Sequence, residues 1–247
     1  MSHSNTVSSQ PFKRAGVMGW PVDHSLSPVV HGYWLDQFGI AGEYVRIPVE
    51  PNDFSAKVRA LRADGFVGCN VTVPHKEAAL LVVDEADEQA RRIGAVNTIR
   101  VRDNGSLYGF NTDGFGFLEN LRQGRMGFNA ATGPAVVLGA GGAARAVVAA
   151  LLDAGAPEVR LVNRTLDRAR ELAVDLMGLG AGTLTVADWD TRAGALEGAA
   201  LLVNTTTLGM TGKPLLDLDL HDLPPDAVVN DIVYAPLETD LLARARP

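Results

Sequence analysis

The chain has a single cysteine, Cys69, so internal disulfides and zinc sites built on cysteine are both excluded. No apolar run approaches the roughly 20 residues that span a bilayer, and the opening MSHSNTVSSQ has no apolar core of a signal peptide. The cytoplasm is therefore the expected compartment. Basic residues are the minority: 22 Lys and Arg against 29 Asp and Glu leave a net charge of −7. That argues against a sequence-independent nucleic-acid surface, while a local cationic patch could still hold one phosphate. The five histidines show neither HExxH nor paired spacing, so no metal site is expected. No internal repeat or low-complexity tract interrupts the chain. What is there is ordinary globular material: 247 residues, 47% hydrophobic, enough to bury one large core or two modest ones. Cys69 sits inside an apolar run and reads as a small core filler, not a nucleophile.

From Ala15 to about Arg102, short apolar strands alternate with helical segments, the pattern of a sheet covered by helices. AGVMGW, Glu43 to Ile47 and Val67 to Val73 read as strands, and Pro28 to Phe38 and Asp53 to Ala63 have helical spacing. Ser27 reads as the cap ahead of Pro28 at the first helical position. Asn97 to Val101 and Leu107 to Phe110, separated by Asp103, Asn104, Gly105 and Ser106, read as a hairpin. Gly124 to Gly133 mixes glycine, asparagine and threonine without periodicity and marks a junction. Beyond it the strands AVVLG, VRLVN, TLTVA, ALLVN and AVVND form a βαβ series that suggests a parallel sheet. The expected class is α/β: an N-terminal α/β domain over residues 1–112 and a doubly wound, Rossmann-type parallel-sheet domain over residues 113–247, with a cleft between them.

Two motifs carry chemistry. In NVTVPHK, Asn70 to Lys76, Pro74 ends a buried strand and Lys76 opens a charged, helix-compatible stretch, which places an ammonium at a strand's carboxyl end. In α/β folds ligands bind in the crevice at those ends, so Lys76 is a candidate proton donor. The second motif follows Val136, Val137 and Leu138: Gly139, Ala140, Gly141, Gly142, Ala143 and Ala144 form GxGxxA between a strand and a helix. Glycines there let the backbone turn tightly and approach a pyrophosphate, and the helix amino end meets its charge. About 20 residues on, where an NAD enzyme places a carboxylate for the ribose hydroxyl, the chain has Asn163, Arg164 and Thr165, with Arg168 one helical turn later. Arginine favours a 2′-phosphate, so NADP is the expected cofactor.

Taken in order, these motifs resemble the shikimate dehydrogenase family over nearly the whole chain, from Ala15 to Ala245. GWPVDHSLSP is similar to the family's substrate-binding opening, NVTVPHK to its catalytic-lysine motif, GAVNTI to its substrate-asparagine motif and NTDG to its catalytic-aspartate motif. GAGGAAR resembles the cofactor loop, NRT the NADP-selecting turn, NTTTLGM a nicotinamide-side loop and DIVYAPLETDLL the closing signature. The resemblance implies reversible NADPH-dependent reduction of 3-dehydroshikimate to shikimate on the route to chorismate and aromatic amino acids. It implies Lys76 and Asp113 as catalytic residues, and Ser25, Ser27, Thr72, Asn97 and Tyr234 at the substrate, the two serines at its carboxylate. At the cofactor it implies Gly139, Ala140, Gly141, Gly142, Ala143, Asn163, Arg164, Thr165, Arg168, Thr205, Met210 and Val233. The implied partner is the small-molecule substrate alone, with no nucleic acid or membrane, and the protein is a monomer or homodimer. Two rivals share these motifs: a quinate and shikimate dehydrogenase of broader specificity, against which Arg164 speaks, and a non-catalytic sensor of NADP or a metabolite, against which the retained Lys76 and Asp113 speak. The family pattern runs on past DIVYAPLETDLL to a last helix that returns to the substrate domain with a glutamine; this sequence stops at Pro247, so either a further segment belongs there, which is the expectation, or the protein closes its cleft differently.

Overall fold

The structure, a computed structural model, describes residues 11–246; the readings made of MSHSNTVSSQ and of Pro247 lie outside them. The chain divides into two compact units, one of residues up to 91 together with 95–111, the other of residues 92–94 together with those from 112 onward. Arg92 to Gly94 join the second unit because Arg92 Nη2 pairs with Asp153 Oδ1 at 2.9 Å, and Ile93 packs on Ala146 and Ala149.

In the first unit, β1 (Lys13–Gly19) leads through α1 (Ser27–Gln37) to β2 (Gly42–Pro48), and through a 3-10 turn and α2 (Phe54–Ala60) to β3 (Phe66–Val71). Then follow α3 (Lys76–Val82), β4 (Glu85–Ala86), α4 (Glu88–Ile93), whose last two residues belong to the second unit, and the hairpin of β5 (Thr98–Val101) and β6 (Leu107–Phe110). The sheet order is β2-β1-β3-β5-β6-β4, with β1 parallel to both its neighbours and the β3–β5 and β5–β6 pairs antiparallel. Strand order reverses at β1, which lies between β2 and β3, so the crevice at their carboxyl ends is a topological switch point. Met18, Ile47, Cys69 and Val71 point to one face, where Phe54 and Val58 of α2 and Ala79 and Val82 of α3 close the core. The opposite face carries α1. The helix lies where its spacing predicts, yet none of its residues is buried, and Val29 and Tyr33 are both more than 60% exposed. Ser27 is not its cap: the helix begins at Ser27 itself, and the Ser27 N–H donates to Ser25 Oγ at 3.3 Å. The third strand stops two residues earlier than the apolar pattern suggested. Thr72 still donates its N–H to Met18 O, but Thr72 O turns to accept from His75 N–H, and the chain leaves the sheet there.

The second unit starts with α5 (Asp113–Gly124) and continues through β7 (Ala135–Leu138), α6 (Gly142–Asp153), β8 (Glu158–Asn163), α7 (Leu166–Asp175), β9 (Thr183–Asp188), β10 (Leu201–Asn204), β11 (Val228–Asp231) and α8 (Asp240–Arg244). Its five strands are all parallel, in the order β11-β10-β7-β8-β9. The inner strands β7 and β10 are buried along their whole length, as parallel strands covered on both faces are, which explains their nearly unbroken Val and Leu content. Val137, Val159, Leu161 and Val203 meet α5, α6 and α7 on one face. Val136, Leu138, Val162 and Leu202 meet Leu196, Leu216, Leu218 and Leu241 on the other. Here the order reverses between β7 and β10, and the loops that leave these two strands define the second crevice.

Candidate active site

In the first unit the candidate residues gather at the carboxyl ends of β1 and β3. Lys76 is the first residue of α3, half-buried, with the buried His75 as the residue before the helix. Two backbone bonds fasten the Asn97 segment against it: Val71 N–H donates to Asn97 O at 2.7 Å, and Val96 N–H to Lys76 O at 2.9 Å. Thr72, Lys76 and Asn97 are thereby held in one place. Gly19, at the end of β1, makes this possible, since a Cβ there would lie 2.4 Å from Thr72 Cγ2. The Ser25 turn follows the same strand; Ser25 is buried, its N–H donates to Val22 O at 3.0 Å, and Arg46 Nε and Nη2 both donate to its carbonyl at 3.1 and 2.7 Å.

Asn97 belongs to a connected row of polar side chains. Tyr44 OH donates to Asn70 Oδ1 at 2.6 Å, Asn70 Nδ2 to Thr98 Oγ1 at 3.0 Å, and Thr98 Oγ1 to Asn97 Oδ1 at 2.8 Å. Burial pushes the Tyr44 hydroxyl well above its ordinary pKa, so it stays a donor. The His31 ring stacks flat on Tyr44 with centroids 3.9 Å apart. His75 has a structural task instead: its ring stacks on Phe54 at 4.4 Å, Nε2 lies 2.8 Å from Val49 O, and burial holds its pKa below the ordinary histidine value. Cys69 is buried in the core and its thiol is pushed up to about 12 by burial, so it stays protonated and unreactive, as a core filler should.

In the second unit the residues expected at a cofactor also converge. Gly139 leaves β7 at φ +106°, a conformation that side chains rarely adopt, and a Cβ on it would stand 2.8 Å from Thr205 Oγ1. Thr205 closes the gap from the end of β10, donating both its N–H and its hydroxyl to Leu138 O, at 2.9 and 2.6 Å. Ala140 is buried, and Gly141 is the residue before α6, with no side chain capping the helix. Gly142 and Ala143 form the first turn, whose N–H groups have no intrahelical partner by the geometry of any α-helix. A Cβ at Gly141 would meet nothing within 4 Å, so the space beside this helix end is open. Ala144 is fully buried in the helix–sheet core, where a larger residue would push α6 off the strands. An open, uncapped helix amino end behind a tight glycine turn fits a dinucleotide pyrophosphate. Asn163 ends β8 and ties the next turn with Nδ2 to Thr165 O at 2.8 Å; Arg164 and Arg168 stand exposed on either side of the start of α7.

The loops after β10 and β11 are locked by a pair that sequence reasoning did not single out. Asn204, fully buried, donates to Leu208 O at 3.1 Å and to Asp231 Oδ1 at 3.0 Å, and accepts from Thr206 N–H and Oγ1. Asp231 also accepts from Val233 N–H at 3.0 Å and Thr239 Oγ1 at 2.8 Å; burial raises its pKa while these donors oppose the rise. Val233 is buried, Met210 is half-buried with its N–H on Thr207 O at 3.3 Å, and Tyr234 is 49% exposed. Asp113 is the half-buried first residue of α5, in the second unit. Asn70, Tyr44 and Arg46 were likewise missed. Asn70 lay inside a recognised motif, but Tyr44 and Arg46 are polar residues in a strand with no pattern to mark them.

Two family profiles match the chain: the shikimate dehydrogenase substrate binding domain over residues 17–99, and shikimate / quinate 5-dehydrogenase over residues 122–203. Shikimate dehydrogenase (NADP(+)) of Paramagnetospirillum magneticum is 62% identical over 231 residues, spanning 94% of this chain and 82% of the relative. Among solved structures, shikimate 5-dehydrogenase from Thermus thermophilus in complex with NADP(H) and shikimate superimposes with a TM-score of 0.80 at 39% identity, over 94% of this chain and 83% of that one. Quinate dehydrogenase from Corynebacterium glutamicum in complex with NAD gives a TM-score of 0.84 at 32% identity, over 95% and 84%.

Proposed function

The chain belongs to the shikimate dehydrogenase family, and from that premise we propose that it catalyses the reversible NADPH-dependent reduction of 3-dehydroshikimate to shikimate, with Lys76 exchanging the proton. The observation that carries the reading is the backbone stitching that gathers Thr72, Lys76 and Asn97 at the switch point of the first sheet. The substrate is a small ring bearing hydroxyls and a carboxylate, and short hydroxyl and amide side chains are the groups that recognise such a ligand. Ser25 and Ser27 take the carboxylate, and Thr72 and Asn97 take ring hydroxyls. Tyr234 is assigned to the substrate on the family resemblance.

NADPH supplies the hydride when bound. As the substrate carbonyl oxygen gains negative charge, the Lys76 ammonium stabilises it and gives it a proton; in the oxidative direction the neutral amine takes the proton back. Asp113 is the carboxylate partner in this step, a role that rests on the family motif NTDG. Gly139 to Ala143 hold the pyrophosphate through backbone N–H groups, and Thr205, Met210 and Val233 border the nicotinamide side. Arg164 and Arg168, with Asn163 and Thr165 beside them, supply two guanidinium groups for the 2′-phosphate at the start of α7.

The test is a matrix of initial rates with shikimate and quinate, each with NADP+ and NAD+. Shikimate with NADP+ should have the highest kcat/KM by at least about tenfold. Quinate turnover at a comparable rate would replace the reading with the broader dehydrogenase that the Corynebacterium likeness favours. Tight NADP+ binding with no turnover of either acid would replace it with a sensor.

A further inference from the structure

We propose that strand β2, which carries none of the residues assigned to the substrate, sets the orientation of the substrate-binding groups at both ends of the ring, Tyr44 acting on Asn97 and Arg46 on the Ser25–Ser27 turn. The inference rests on the substrate assignments made above. Tyr44 and Arg46 are two residues apart in one strand, so both project from the same face, the face opposite the α2 and α3 core.

The Tyr44 arm is a row of hydrogen bonds with a fixed direction. A phenol held protonated by burial gives its proton to Asn70 Oδ1, which forces the Asn70 amide to turn its nitrogen toward Thr98. Thr98 Oγ1 then accepts, so its own proton goes to Asn97 Oδ1, and the Asn97 amide nitrogen is turned to the other side. Each link fixes the polarity of the next. Without the tyrosine hydroxyl, Asn70 is able to present its oxygen to Thr98, draw the threonine proton away from Asn97, and remove this donor from the Asn97 oxygen. Tyr44, Asn70 and Thr98 line a cavity of about 430 Å³ together with Trp34, Ile99 and Phe110. The Arg46 arm is shorter. Its planar guanidinium places two donors on the single Ser25 carbonyl, and the Ser25 hydroxyl in turn accepts from Ser27 N–H. The forked contact fixes the turn in a way that one lysine nitrogen cannot reproduce.

Tyr44 and Arg46 are positioning residues, and the pattern across substrate analogues separates their action from general damage to the fold. Tyr44→Phe and Arg46→Met are assayed in the whole chain against shikimate, against analogues with each ring hydroxyl removed in turn, and against one with a hydroxymethyl group in place of the carboxylate. With shikimate each variant should show a rise in KM of about fivefold to tenfold, the scale of one hydrogen bond, with KM for NADP+ unchanged. The Tyr44→Phe penalty should vanish with one deoxy analogue and persist with the hydroxymethyl analogue. The Arg46→Met penalty should do the reverse, and Arg46→Lys should recover it only in part. Asn70→Asp, which takes the Thr98 proton for itself, should reproduce Tyr44→Phe. Equal penalties on every analogue, or none on any, would overturn the proposal while wild-type shikimate turnover stays normal; failure of the wild-type enzyme on shikimate would instead reject the underlying reaction.

Discussion

At the scale of single residues, the chemistry turns on charges set at element ends. Lys76 is the first residue of α3, just past the turn that ends the third strand. Lys76→Ala is expected to lower kcat by at least about a hundredfold, the usual effect of losing a positioned acid, with the Kd for NADP+ unchanged. Steady-state rates together with fluorescence titration of the cofactor decide it, and near-normal turnover removes Lys76 from the reaction. For Arg164 the comparison is between cofactors: Arg164→Ala should raise KM for NADPH far more than KM for NADH, since only the former carries the extra phosphate. Equal changes would mean that this exposed arginine does not read the 2′ position. Lys76 and Arg164 were visible in the sequence because each follows a run of strand residues with a recognisable stop. Tyr44 and Arg46 were not visible, because what distinguishes them is the partner brought to them by β1, β3 and β5.

At the scale of elements, the β7–α6 turn separates two uses of glycine. Gly139 is required by the fold: its φ is positive and Thr205 stands against it, so Gly139→Ala should destabilise the protein by at least about 1 kcal/mol. Gly141 has φ −105° and open space around it. Gly141→Ala should therefore leave the unfolding midpoint nearly unchanged yet raise KM for NADPH at least about tenfold, because a methyl group would occupy the room needed by the pyrophosphate. If both variants lose stability alike, the turn is structural and the cofactor assignment weakens. The β3–α3 junction makes a pH prediction. Burial lowers the pKa of His75, so as pH falls the unfolded chain takes up this proton first. The stability gained by keeping the ring neutral is full above the ordinary value of about 6.5 and is lost as pH falls through it. His75→Phe preserves a stack on Phe54 but cannot titrate; urea unfolding at pH 8 and pH 5.5 should show a smaller acid loss in the variant, and a cost of about 1 kcal/mol at pH 8 for the unpaired Val49 carbonyl. An acid loss as large as the wild type's would assign the pH dependence to other groups.

At the scale of the whole molecule the large cores among the described residues are separate, one under the first sheet and two on the faces of the second, each closed by its own helices and loops. The residues assigned to NADP+ all belong to the second unit. Hydrogen exchange with and without NADP+ should therefore show protection gained in β7, α6 and the loops after β10 and β11, with β1 to β3 unchanged. At a hundredfold excess over Kd the gain should approach about 2.7 kcal/mol. Protection confined to the first unit would contradict the division of labour. The sequence by itself determined the elements and their chemistry: strand-length apolar runs, the glycine turn between strand and helix, and the stops that place Lys76 and Arg164 at element ends are all local in the chain and set by backbone sterics and burial. Only the tertiary structure decided which polar groups meet. The row from Tyr44 to Asn97 joins β2, β3 and β5, and the Asn204–Asp231 lock joins two loops 27 residues apart. A hydrogen bond needs donor and acceptor within about 3 Å, and for residues far apart in the chain that distance is set by strand order and register.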